Sequence, residues 1–309
     1  MRHPPYHLRP NKAVDRLTFI EAIALLAQVA DLSEYTYYSL GGPYLEDCRL
    51  LYEFHPQISM VSIEEKEEIY KRQRFHLPCG MLDLKLDEFK SFLAQYEAND
   101  RKSIFWLDYT GLEVGHFEEF KGLLGKVAAN SMIKMTLQAD PRRLKPAKFR
   151  EKFEALMPNP SVNPPATTLD FAYLVQQMIQ IASQQALPGD MPHVFQPIAS
   201  FYYKDSVAMF SLIGLVCPRA ERENVKAIFK NLQFANLDWQ QPKNIDLPIL
   251  STKERLRVQH LLPCKKGAGK VLRKELGYLI DDDEEKTEMK LEQYAEFHRR
   301  FPYFMKATP

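Results

Sequence analysis

Nowhere does the sequence hold a run of roughly 20 apolar residues, the length a helix needs to cross a bilayer, so no membrane span is expected. Cysteine is scarce. Cys48, Cys79, Cys217 and Cys264 contain no C-x-x-C pair, which excludes a zinc knuckle or a dithiol redox motif and fits scattered reduced thiols in a cytoplasmic protein. The opening Met1-Arg-His-Pro-Pro5 lacks the apolar centre of a secretory signal. No H-E-x-x-H motif suggests a zincin-like metal site, and no G-x-S-x-G suggests an α/β-hydrolase elbow. Lys265-Lys-Gly-Ala-Gly-Lys270 is not a P-loop, because the G-x-x-x-x-G-K-[ST] spacing and a preceding strand are both missing. An excess of charge is also missing. A formal net charge of +1 gives no whole-molecule argument for nucleic acid or membrane as the main partner.

What remains is an ordinary globular composition. Of the 309 residues 45% are hydrophobic, 26% charged and 12% aromatic, enough for a core that needs neither disulfides nor metal. Residues 1–16 are polar and basic. Leu17 to Ala30 has apolar residues at helical spacing. Tyr35 to Leu40 is an aromatic, β-branched strand that Gly41-Gly42-Pro43 stops, and Tyr44 to Phe54 follows as a helix. Further strands are expected at 58–63, 81–85, 103–107 and 131–137, with helices between them near 65–74, 87–98 and 117–129. This alternation predicts an α/β fold: a Rossmann-like, mostly parallel sheet flanked by helices. Met157 to Pro165 reads as a linker, Leu169 to Ala186 as an apolar helix, and Val194–Tyr203 with Val207–Cys217 as a closing antiparallel hairpin. From Pro218 the chain reads as a helical extension, with an exposed acidic loop at 281–285 and a last helix at 289–301. Two domains are expected, 1–217 and 218–309.

In such sheets ligands lie beyond the carboxyl ends of the strands, so the residues after each strand are the candidates. Gly41 and Gly42 allow a ligand close to the backbone at a helix start, or serve as a plain turn. Glu64, 22 positions beyond Gly42, can accept the ribose hydroxyls of an adenosine-type ligand, or simply favour the first turn of a helix. Asp108 and Tyr109 end the strongly apolar Ser103–Leu107 strand. They can grip and wall a reacting group, or form a loop and pack. The basic run Arg142, Arg143, Lys145, Lys148, Arg150 and Lys152 reads as a solvated helix face.

Leu40-Gly41-Gly42-Pro43, Ser62-Ile63-Glu64 and Asp108-Tyr109 resemble three motif positions of class I S-adenosylmethionine (SAM)-dependent methyltransferases. Four phrases, at residues 7–16, 41–47, 106–111 and 294–304, resemble a bacterial putative O-methyltransferase family over nearly the whole chain. The resemblance implies SAM as cofactor, with Gly41, Gly42 and Glu64 holding it, Asp108 and Tyr109 as catalytic residues, and no metal. The methyl acceptor is left open.

The glycine loop departs from the usual pattern. An acid does not precede it, and its two glycines are adjacent with Pro43 next. That degenerate loop supports a second reading: a catalytically inactive Rossmann-like protein that binds a nucleotide or acts as a scaffold. Its setting would be a bacterial assembly for phage defence or nucleic-acid processing, with the C-terminal extension contacting a protein partner.

Overall fold

The computed structural model describes residues 9–98, 101–143, 145–161, 163–264 and 266–301. In chain order the first elements are helix α1 (Pro10–Leu26), strand β1 (Tyr35–Ser39), α2 (Glu46–Phe54), β2 (Ser59–Glu64), α3 (Glu67–Phe75), β3 (Leu82–Leu86), α4 (Phe89–Gln95), β4 (Lys102–Asp108), α5 (Val114–Leu124) and β5 (Met132–Gln138). There follow α6 (Pro146–Phe153), α7 (Thr168–Ala186), β6 (His193–Lys204), β7 (Ala208–Pro218), α8 (Arg222–Phe229), β8 (Lys243–Ile245), α9 (Thr252–Gln259), α10 (Ala268–Leu276) and α11 (Glu284–Phe297). No described helix is long and apolar enough to cross a membrane.

The sheet has eight strands in the order β3-β2-β1-β4-β5-β7-β6-β8. Strands β3, β2, β1, β4 and β5 pair in parallel, and β7 pairs with β5 antiparallel. The expected Rossmann-like sheet with its closing hairpin is therefore present, with the 103–107 strand at its centre. Strand order reverses between β1 and β4, the place where doubly wound sheets keep their ligands.

Each parallel strand shows a different face on alternate residues. On one face Val61, Ile63, Phe105, Leu107, Ile133, Met135 and Leu137 join a core cluster with Phe92 and Leu93 of α4, Phe117 and Phe120 of α5 and Phe171 and Val175 of α7. Tyr38 stacks on Phe105 there, with ring centroids 4.5 Å apart. The opposite face is more polar. It carries Ser39, Ser62, Trp106, Lys134 and Thr136, all buried. Trp106 Nε1 donates to Thr136 Oγ1 at 3.1 Å, and the Lys134 ammonium lies 3.4 Å from the Trp106 ring centre.

The chain forms two compact units, and neither is one continuous stretch. One comprises Thr18–Tyr202 and Val207–Lys243; the other comprises Met1–Leu17, Tyr203–Ser206 and Asn244–Pro309. A boundary at 217/218 is thus not where the chain divides, because α8 and its flanks go with the sheet. In the second unit the backbone amides of Asn11 and Lys12 donate to the Asp205 carboxylate, and Tyr203 donates to Asp15, which is itself paired with Lys12 at 3.2 Å. Within the same unit α10 meets α11 so tightly that a Cβ at Gly269 would lie 2.1 Å from the Glu288 carbonyl oxygen.

Several boundaries move. Helix α1 starts at Pro10, inside the segment read as a polar lead-in, because the buried positions of its first turns include the polar residues Asn11, Lys12 and Asp15, whose partners the sequence does not show. Helix α5 covers Val114–Leu124, not 117–129. The acidic run at 281–285 is only partly a loop. Glu284 and Glu285 form the first turn of α11, and Asp283 caps it by accepting from the Lys286 amide at 2.8 Å. Strand β8 was not expected. The resemblance phrases at 7–16 and 294–304 fall in part outside the described residues, as do Arg2 and Lys265.

Candidate functional site at the carboxyl edge of the sheet

Strand registry decides where the candidate residues stand. Ser39 of β1 pairs with Ser62 of β2 and with Trp106 of β4. Carried two residues forward, that register sets Gly41, Glu64 and Asp108 in one row across three neighbouring strands, at the reversal of strand order. Adjacent strands lie about 4.8 Å apart, so residues separated by dozens of positions in sequence share one edge. Asp108 is itself in register with Thr136 of β5.

The glycine turn is tightly built. Gln73 of α3, fully buried, donates from Nε2 to the Gly41 carbonyl at 2.6 Å. Ser62 presses from the neighbouring strand, so that a Cβ at Gly41 would lie 2.5 Å from Ser62 Oγ. A Cβ at Gly42 meets nothing within 4 Å. Leu45 follows in the left-handed conformation (φ 53°) and starts α2, whose first turn carries Glu46 and Asp47. Tyr37 of β1 donates to Asp47 Oδ2 at 2.6 Å. Tyr44 is held from two sides. Arg72 donates to its hydroxyl at 2.6 Å and lies over its ring, and Arg49 Nε donates to its carbonyl. Two buried atoms beside the turn, Ser62 Oγ and Gln73 Oε1, have no hydrogen-bond partner among the described residues.

Glu64 is half-buried and accepts from the Lys66 amide at 2.8 Å through Oε1. Burial holds its carboxyl above the ordinary value of 4.5, against the opposing pull of that amide bond. The residue thus occupies the position expected of a ribose acceptor while also bracing its own turn.

Asp108 is the last residue of β4 and is partly exposed. Tyr109 turns into the core, 9% exposed. Its hydroxyl donates to Glu119 Oε2 of α5 at 2.5 Å, and its ring stacks on His116, 3.9 Å between centroids. Burial pushes the Tyr109 hydroxyl well up, raises Glu119 and lowers His116 to about 4. The packing half of the two readings of Tyr109 is therefore visible directly, and its polar end is occupied by α5. At the end of β5, Asp140 holds Arg142 through two bonds of 2.9 and 2.7 Å.

Ser62, Gln73, Tyr37 and Asp47 were not among the sequence candidates. The signal for Gln73 was there: one uncharged polar residue on a helix otherwise rich in charge, next to the glycine turn in space but 32 positions away. Among the described residues no group of three or more His, Cys, Asp or Glu is placed to hold a metal ion.

Residues 4–309 match the protein family described as "Putative O-methyltransferase". This chain belongs to that family. No curated protein matches its sequence. Among solved structures it is similar to the complex of Trm1 from Pyrococcus horikoshii with S-adenosyl-L-methionine, with 12% identity and a TM-score of 0.48 over 69% of this chain and 57% of that one. The chain thus spans a little over half of Trm1. It is also similar to a probable spermidine synthase from Corynebacterium glutamicum ATCC 13032, with 12% identity, a TM-score of 0.44, and 78% and 82% of the two chains covered. A third is the plantazolicin methyltransferase BpumL in complex with SAH, with 11% identity, a TM-score of 0.39, and 66% and 84% covered.

Proposed function

We propose that this member of the O-methyltransferase family is a SAM-dependent enzyme of the bacterial cytoplasm that methylates a hydroxyl group. The observation that carries the reading is the row of Gly41, Glu64 and Asp108 at the reversal of strand order. The residues present fit the cofactor. Gly41 lies where a side chain would collide with Ser62, and Ser62 Oγ and Gln73 Oε1 are buried polar atoms left for a ligand or bridging water. The acid that usually precedes the glycine loop is missing, but Glu46 and Asp47 bring two carboxylates to the first turn just after it. The four cysteines, all free, suit the cytoplasm.

When bound, SAM supplies an electrophilic methyl group on a sulfonium. Glu64 accepts hydrogen bonds from the ribose hydroxyls, sharing its carboxylate with the Lys66 amide. Gly41 and Gly42 let the amino-acid end approach the backbone. Asp108 orients the acceptor hydroxyl and takes its proton, so catalysis is chiefly positioning with a modest contribution from the base. Tyr109 contributes its ring and its anchor on α5, which fixes the backbone next to Asp108. The C-terminal helices are the surface for a protein partner, and the methyl acceptor is left open.

Calorimetry with SAM on the wild type and Glu64→Ala tests the reading. Ligand at 100 times its dissociation constant adds about 2.7 kcal/mol of stability. Wild-type protein that gives neither heat nor a thermal shift at millimolar SAM is the inactive scaffold instead.

A further inference from the structure

One cavity lies away from the row of Gly41, Glu64 and Asp108. About 500 Å³ in volume, it is bounded by α7, the start of β6 and the segment after β7. Because β7 runs antiparallel to β5 with Leu215 opposite Met132, the residues that follow β7 stand at the amino-terminal edge of the parallel strands. The candidate cofactor site is at the opposite, carboxyl edge.

Two guanidinium groups and no carboxylate line this cavity. Arg219 is committed, donating to the carbonyls of Leu187, Pro188 and Met191, and so ties down one wall. Arg222 is different. Its Nε donates to the buried Gln196 Oε1 at 2.6 Å, which fixes the plane, while its two terminal nitrogens have no partner among the described residues. A guanidinium held by one edge and open at the other is suited to a two-oxygen anion.

The aromatic wall is held as firmly. Trp239 borders the cavity with its ring 6.3 Å from that of Phe195. Its backbone is left-handed (φ 57°), as is that of Phe234 (φ 62°) in the same loop. Bulky residues rarely adopt this conformation, and it persists only where the surroundings impose it. Here buried Asn236 accepts from the Gln240 amide at 2.7 Å and donates to Ser200 Oγ, and Gln176 Nε2 donates to the Gln240 carbonyl. The loop is thus clamped so as to present a flat indole. Gln180 and Gln184, one turn apart on α7, add side-chain amides that can both donate and accept.

We propose that this cavity is a second ligand site, binding a nucleoside monophosphate with its base against Trp239 and the edge of the base read by Gln180 and Gln184, and its phosphate on Arg222. The volume is within the usual range for small-ligand pockets. An aromatic hydrocarbon acid would use the ring and the guanidinium but leave both amides idle. Inorganic phosphate would use the guanidinium alone.

The chain has only two tryptophans, Trp106 in the sheet and Trp239 in the cavity, so fluorescence reports on this site. The four common nucleoside monophosphates, adenosine and inorganic phosphate are titrated separately. At least one nucleotide is expected to quench in a saturable way, with adenosine and phosphate each binding about tenfold or more weakly. Trp239→Phe should abolish the signal. Arg222→Met should weaken binding about tenfold or more, and Arg222→Lys, which keeps the charge but not the fork, should fall between if the first variant does not fold. Glu64→Ala should bind the nucleotide as the wild type does, whether or not SAM is its cofactor. No saturable change with any nucleotide at millimolar concentration overturns the proposal. So does phosphate or adenosine binding as tightly as the best nucleotide, or loss of nucleotide binding in Glu64→Ala, which would move the ligand to the other edge.

Discussion

Gly41 and Ser62 touch so closely across β1 and β2 that one extra carbon on the glycine would sit 2.5 Å from the serine hydroxyl oxygen. Gly41→Ala should therefore lose about 1–3 kcal/mol, the usual range for overpacking a tight site. Adding Ser62→Ala should restore part of the loss, though Leu45 Cδ2 at 3.1 Å remains in the way. Urea denaturation of the two single variants and the double variant measures the coupling, and purely additive losses would show that the serine is not the obstacle.

Glu64→Ala should weaken SAM binding by roughly ten- to a hundredfold for each ribose hydrogen bond lost, since bonds to a charged group are worth about 1.5–3 kcal/mol. The ionised carboxylate is the acceptor, and burial holds its pKa above 4.5. SAM affinity should thus decline on acidification at a higher pH than an exposed glutamate would give. Glu64→Gln should flatten that decline. The effect on folding has the opposite sign. The raised carboxyl favours the folded state below its unfolded pKa, and this contribution is lost as pH rises through the folded value.

Asp108→Ala should leave the calorimetric affinity for SAM within about threefold of wild type while lowering kcat, because its proposed partner is the acceptor. An equal loss of SAM affinity in Asp108→Ala and Glu64→Ala would assign both carboxylates to the cofactor.

Tyr109→Phe removes a hydroxyl already bound to Glu119, so it should cost about 1–2 kcal/mol of stability and leave turnover nearly unchanged. A collapse of kcat with normal stability would return that hydroxyl to the reacting centre.

His116 gives a pH signature. Its folded pKa of about 4 lies below its ordinary 6.5, because burial disfavours the charged ring. The stability it contributes is fully present above 6.5 and is lost as pH falls from there toward 4. Thermal melts of wild type and His116→Phe across that window should converge at low pH, since phenylalanine keeps the stacking on Tyr109 and cannot take up a proton.

The sheet was legible because its strands are short apolar runs that end abruptly on Gly41, Glu64 and Asp108. Hydrophobic contrast of that kind marks both the strand and its ligand-facing end. The ends of α1 and α5 were less legible. Helix α1 buries Asn11, Lys12 and Asp15, which look like solvent residues until their partners are known. Gln73 and Ser62 went unseen because their meaning is purely spatial: each acts on a glycine that sequence order places far away. Trp239 escaped notice for the same reason, as its backbone conformation is imposed by Asn236 and Gln176 and by no turn motif of its own.

The unit formed by Met1–Leu17, Tyr203–Ser206 and Asn244–Pro309 has a consequence for synthesis on the ribosome. Asn11 Oδ1 accepts from the Leu247 amide at 2.8 Å, so the first turn of α1 cannot complete its contacts until more than two hundred further residues have emerged. The sheet, contained almost wholly in Thr18–Lys243, can close earlier. A ribosome that stops after Lys243 therefore holds a chain with seven of the eight strands present and the first turns of α1 still without the partner at Leu247.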